Sequence, residues 1–171
     1  MLEKNRFFIV LIALTILFVN GAIAQTKTQT VFNLEGKVLK KAIIPEAVIA
    51  ILKSDERVDV CFQEKGKGAR EAEWFAASEI DLNNDGRKDL IIKAEDGCLF
   101  GANQGPFWIF QNRTDGYQKV LSANGLQLIV LPKKANFFNQ IKISKVVSMK
   151  PSSETYFFKV GKYRQIARSS K

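Results

Sequence analysis

Phe107-Trp108-Ile109-Phe110-Gln111-Asn112-Arg113-Thr114-Asp115-Gly116-Tyr117-Gln118-Lys119-Val120-Leu121-Ser122-Ala123-Asn124-Gly125-Leu126-Gln127-Leu128-Ile129-Val130-Leu131 is the stretch that decides the fold class. Its apolar runs are strand-length and rich in aromatic and β-branched residues, and Asp115-Gly116 and Asn124-Gly125 punctuate them. Both dipeptides suit two-residue type I′ turns, whose central positions need positive φ. Strands are therefore predicted over 107–112, 117–121 and 126–131, joined by hairpins. Alternation puts Trp108 and Phe110 on one face of the first strand and Phe107 and Ile109 on the other. Both faces must be covered, so this strand is central in its sheet.

Toward the C-terminus the pattern continues with a strand over 141–147, then 155–160 paired with 163–167 across Gly161-Lys162. Toward the N-terminus, 74–80 leads into a polar turn and Leu90-Ile91-Ile92 leads out of it. Gly66 and Gly68 among charged residues mark 64–73 as an exposed loop. Val58, Val60 and Phe62 alternate with Arg57, Asp59, Cys61 and Gln63, the period-two pattern of a half-buried strand. One helix is predicted over 45–53. Pro45 suits its first turn, and Ile44, Val48, Ile51 and Leu52 share a face at i, i+4, i+7 and i+8. The expected fold is α+β, mainly β: a twisted antiparallel meander of about eight strands with one short N-terminal helix. No internal repeat of fixed period is present.

The first residues give an expected address. Lys4 and Arg6 precede the apolar run 7–19, and Ala22-Ile23-Ala24 supplies a small-residue cleavage site, the layout of a secretory signal peptide. A run of thirteen residues is too short for a membrane span, and no Cys follows the site to carry a lipid. The expectation is a signal peptide over 1–24 and a single β-rich domain over 25–171, periplasmic or secreted, and not an integral membrane protein after cleavage. In such an oxidising compartment the two cysteines, Cys61 and Cys98, form a disulfide by default, two free thiols being the alternative. The chain has no His. That removes imidazole acid/base work, His-containing zinc sites, and Ser-His-Asp or Cys-His nucleophile systems.

Charge is uneven. From Lys119 to Lys171 there are eleven Lys or Arg and one acid, Glu154, whereas 25–118 carries thirteen bases and fifteen acids. A cationic last third favours acidic partners: an anionic lipid or glycan surface, or an acidic exported protein. Lys133, Lys134, Lys142 and Lys145 are the candidate partner-binding residues. The plainer reading is that these lysines keep an exported β protein soluble and guard its edge strands. Nucleic acid is a poor fit for a chain expected outside the cell.

The turn between 80 and 90 carries the most specific chemistry. Asp81-Leu82-Asn83-Asn84-Asp85-Gly86-Arg87-Lys88-Asp89 places oxygen-bearing side chains at positions 1, 3, 5 and 9 around a glycine. A hard cation such as Ca²⁺ takes six to eight oxygens, and a short turn delivers them when acidic or amide residues alternate with spacers. The candidate ligands are Asp81, Asn83, Asp85 and Asp89 through their side chains and Arg87 through its main-chain carbonyl. The competing reading is an Asp/Asn turn whose side chains satisfy the backbone without metal. Position twelve of the loop is Ile92, and strands flank it, so an EF-hand is excluded.

The run Asp81 to Ile92 resembles the calcium loop of FG-GAP and VCBS repeats, which sits between two strands of a propeller blade. It is also similar to a group of small exported proteins of uncharacterised function carrying one such loop. In these a Gly-rich stretch, a Trp-Ile-Phe strand and a Gly-Tyr hairpin follow, matched here by Gly101 and Gly105, by Trp108-Ile109-Phe110 and by Gly116-Tyr117. The chain departs from the repeat families in lacking Gly-Ala-Pro after the loop, and one copy cannot close a propeller. What the resemblance implies is a structural Ca²⁺ between two strands.

Trp74, Phe75, Phe107, Trp108, Phe110, Phe137, Phe138, Tyr156, Phe157 and Phe158 are either a ligand platform or, more ordinarily, core. The expected function is that of an exported, non-catalytic binding or interaction protein with a structural Ca²⁺ site. An inhibitor or accessory protein that docks an exported enzyme or anionic surface polymer through the basic third is the alternative. A glycan-acting hydrolase is a distant third, since such chemistry needs one carboxyl held protonated in a cleft.

Overall fold

The computed structural model describes residues 29–65, 71–101 and 104–166. The predicted signal peptide over 1–24 and the glycines of the predicted 64–73 loop lie outside them. Among the described residues nine strands form two antiparallel sheets, which bears out a mainly β fold. The four-stranded sheet runs β2 (Phe75–Ile80), β3 (Asp89–Ala94), β4 (Gly105–Arg113), β5 (Gly116–Gly125) in that order. The five-stranded sheet runs β1 (Val31–Asn33), β6 (Gln127–Ala135), β7 (Phe138–Val147), β8 (Lys150–Lys159), β9 (Lys162–Gln165).

The layers follow from alternation along the strands. Phe107 and Ile109 of β4 join Ile91, Leu128, Ile141 and Ile143 in a core between the two sheets. Trp108 and Phe110 point the other way and join Leu90 and Ile92 beneath the helices. The helices are α1 (Glu46–Lys53) and α2 (Glu56–Lys65). β4 is thus buried on both faces between β3 and β5, as its four successive apolar residues require. Of the ten aromatic residues named above, eight lie in or against these two cores; Phe137 is 84% exposed.

Three expectations are corrected. The strand predicted over 58–63 is helix α2. Val58 and Cys61, three apart, face the core, and a helix seats them as well as a period-two strand would have seated Val58, Val60 and Phe62. Asp55 decides between the two: its carbonyl accepts from the N–H groups of Val58 and Asp59, and its carboxylate takes the Arg57 N–H at 3.4 Å, the position of an N-cap. Glu56 and Asp59 then suit the positive end of the helix.

Asn124-Gly125 makes no hairpin. β5 and β6 lie in different sheets, and the chain passes from one to the other here, Gly125 still pairing with Gly105. The glycine answers crowding rather than φ: a Cβ at 125 would stand 2.5 Å from Ile143 Cγ2 and 2.8 Å from the Ser144 carbonyl oxygen. The single meander of eight strands is accordingly two sheets of four and five.

The hairpin turns are also displaced. Arg113 pairs with Gly116, so Thr114 and Asp115 form that turn, and among these residues Gly116 alone has positive φ, 115°. In the five-stranded sheet three turns have both central residues at positive φ: Asn136-Phe137, Ser148-Met149 and Val160-Gly161. The first two have no glycine, which is why sequence punctuation passed over them.

Candidate functional site

The 81–89 turn joins β2 to β3, and Asn84 (φ 61°) and Gly86 (φ 84°) bend it. Its carboxylates face inward onto the turn's own backbone. Asp81 accepts from the N–H of Asp85 at 3.2 Å and of Gly86 at 3.0 Å. Asp85 accepts from the Arg87 N–H at 2.9 Å, and from Asn83 Nδ2 at 2.8 Å and Arg87 Nη2 at 2.5 Å. Donation by the Arg87 backbone, then by Asn83, holds the Asp85 carboxyl below the usual carboxylate range. Asp89 is buried, 1% exposed, and takes the N–H of Leu82 at 3.1 Å and of Asn112 at 2.9 Å. Burial pushes its carboxyl up to about 6 despite those two donors, and the charges of Asp85 and Asp81 add to the push.

All five predicted ligand residues therefore lie in one turn. Asp81 and Asp85 stand near enough to Asp89 for their charges to disfavour its ionised form, and Arg87 places its guanidinium on Asp85. Among the described residues no three acidic or cysteine side chains close on a common point at metal-ligand spacing. The donor set nevertheless suits Ca²⁺ in kind, being hard oxygens only, and its unrelieved repulsion on Asp89 is what a cation among the three would cancel. Asp89 is enclosed between the sheets with both oxygens engaged, a poor position from which to meet a substrate.

Cys61 of α2 and Cys98, in the short turn Gly97–Leu99, stand as a disulfide with Cα atoms 5.8 Å apart.

The four predicted partner-binding lysines do not form one patch. Lys145 is ion-paired to Glu154 across β7 and β8. Lys142 lies mid-strand on the outer face of β7, between Ile129 and Thr155. Lys133 and Lys134 are exposed at the end of β6, next to the Asn136-Phe137 turn. Two residues that sequence reasoning missed join them: Lys159 and Lys162, exposed and directly opposite each other at the β8–β9 turn. None of Lys133, Lys134, Lys159 and Lys162 has an ion pair with a described residue. The missed signal was the pairing of β7 with β8, which no local pattern encodes.

Comparison with known proteins returns nothing: no family model, no curated protein and no solved structure matches the chain.

Proposed function

We propose that this chain is an exported, non-catalytic binding protein, braced by a structural Ca²⁺ in the 81–89 turn, that presents its cationic five-stranded sheet to an acidic partner. One observation carries the reading. The single acid of the last third, Glu154, is taken by Lys145, and Lys133, Lys134, Lys142, Lys159 and Lys162 have no ion pair with a described residue, which leaves them available to an acidic partner. Uncompensated like charge costs stability through self-repulsion, and an acidic partner would relieve it.

Retention on immobilised dextran sulfate at about 0.15 M salt, where the Debye length is about 8 Å, tests this. Lys133→Glu, Lys134→Glu and Lys142→Glu together are expected to move elution to much lower salt. Unchanged elution of the triple variant, or no retention of the parent, would sink the docking face.

In the brace, Asp81, Asn83, Asp85, Asp89 and the Arg87 carbonyl would hold the ion. Bound there, Ca²⁺ supplies charge neutralisation and no chemistry. Melting in Ca²⁺ at 100 times its dissociation constant is expected to gain about 2.7 kcal/mol over melting in chelator. Asp85→Ala should abolish the gain. Identical melting curves with and without Ca²⁺ would contradict the metal assignment and leave the docking face standing.

A further inference from the structure

The end of the five-stranded sheet where β6 turns into β7 and β8 into β9 breaks three rules of stable β structure at once. Phe137 is 84% exposed and Val160 is 86% exposed. Both sit at positive φ, 71° and 48°, a region disfavoured for bulky residues and worst for a β-branched one. Lys159 and Lys162 oppose each other across the β8–β9 pair, where like charges repel. Asn-Gly at both turns and one acid among the lysines would remove all three costs.

The two tips are neighbours. Ile141 pairs with Tyr156, and carrying that register to the strand ends sets residue 137 abreast of residue 160. Asn136 Nδ2 donates to the Phe158 carbonyl at 2.6 Å, and Phe138 stacks on Phe158 with ring centroids 3.7 Å apart. The adjacent hairpins are thus tied side by side, with Phe138 in the core and Phe158 packed against it.

We propose that this end of the sheet docks on an anionic lipid bilayer, Phe137 and Val160 entering the headgroup–acyl boundary and Lys133, Lys134, Lys159 and Lys162 binding the phosphates above them. The inference deepens the acidic-partner reading and rests on it. The order of chemistry along the strands selects lipid over a soluble polyanion. Apolar side chains occupy the outermost points and cations stand one to four residues behind them, matching a bilayer whose charged layer covers an apolar one. A glycan or an acidic protein surface would use the lysines and leave the two apolar tips in water.

The test is co-sedimentation with vesicles of phosphatidylglycerol and phosphatidylcholine, against vesicles of phosphatidylcholine alone. Binding is expected only to the anionic vesicles and should weaken with salt. Phe137→Gly with Val160→Asn installs Asn-Gly at both tips. This variant is expected to melt higher than the parent, to keep its retention on dextran sulfate, and to lose vesicle binding by about tenfold or more, which a loss of folding cannot imitate. Lys159→Gln with Lys162→Gln should weaken binding to both. Met149→Ser, at the equally exposed tip on the opposite end, should change neither, and Phe137→Trp should shift its emission to the blue when anionic vesicles are added. Full vesicle binding by the Asn-Gly variant, or an equal loss in Met149→Ser, overturns the proposal. Retention on dextran sulfate without vesicle binding overturns the lipid assignment alone, and binding to neither overturns the acidic-partner reading with it.

Discussion

Trp108→Ala should destabilise the protein by about 3–5 kcal/mol, the usual cost of removing a buried large aromatic and much of the 5–15 kcal/mol a domain holds. The side chain is fully buried, with Phe75 edge-on at 5.6 Å and the Arg57 guanidinium 5.6 Å from its ring centre. Its Nε1–H donates to Asp55 Oδ2 at 3.0 Å. That carboxylate also caps α2 and pairs with Arg57 Nε at 3.0 Å, so one substitution opens a cavity in the helix-side core and removes one partner of the carboxylate that caps α2. Trp108→Phe separates the two losses. It keeps most of the packing and removes a hydrogen bond to a charged group, about 1.5–3 kcal/mol. If Trp108→Ala melted no lower than Trp108→Phe, the ring would not be the core element described.

The Asp55 cluster also sets an acid limit. Burial pushes the Asp55 carboxyl up, but hydrogen bonds from Arg57 and Trp108 and the Arg57 charge outweigh it, so the group is more acidic folded than its ordinary 3.8. A carboxyl depressed by folding adds stability above its unfolded pKa and loses it as pH falls through the folded one. Melting of the parent should therefore drop as pH falls below about 4, and the drop should be smaller in Asp55→Ala. Equal acid slopes in the two proteins would remove Asp55 from the account.

How far these features were legible differs by element, for physical reasons. β4 was legible because four apolar residues in succession, rich in aromatics and bounded by turn residues, suit a strand covered on both faces. α2 was misread because Val58, Cys61 and Phe62 satisfy a helix while Val58, Val60 and Phe62 satisfy a strand, and periodicity cannot arbitrate over so short a run. Asp55 followed by Glu56 and Asp59 was the better guide, since a capping carboxylate and an acidic first turn favour only the helix. Asn124-Gly125 misled because glycine answers two demands, positive φ and close approach, and the sequence does not say which. The spacing of Asp81, Asn83, Asp85 and Asp89 was fully visible, being local. The cationic end was half visible: Lys133 and Lys134 lie together in sequence, but Lys159 and Lys162 reach them only through the β7–β8 register.

Removing the Cys61–Cys98 bond, as Cys61→Ala with Cys98→Ser, should cost about 4 kcal/mol on the chain-entropy model for a separation of 37 residues, a fall in melting temperature on the order of 10 °C. The loss should fall first on α2. This helix buries only Val58 and Cys61, and α1 by comparison buries Val48 and Leu52 with more apolar surface around them. Its C-terminal end is otherwise tied by Phe62 and Lys65 against the Trp74 ring and by the Lys65–Asp96 pair at 2.5 Å, a partly exposed ion pair of the kind worth about 0–1 kcal/mol. Its N-terminal end keeps the Asp55 cluster. With the bond gone, the helix is held more weakly at its C-terminal end, and amide exchange over 56–65 should accelerate at temperatures where β3 and β4 remain protected. Uniform acceleration across α2 and β4 would show instead that the bond stabilises the whole fold through the unfolded chain. Melting unchanged to within about 2 °C, against the several degrees that each kcal/mol commands in a domain of this size, would mean that the cysteines contribute packing alone.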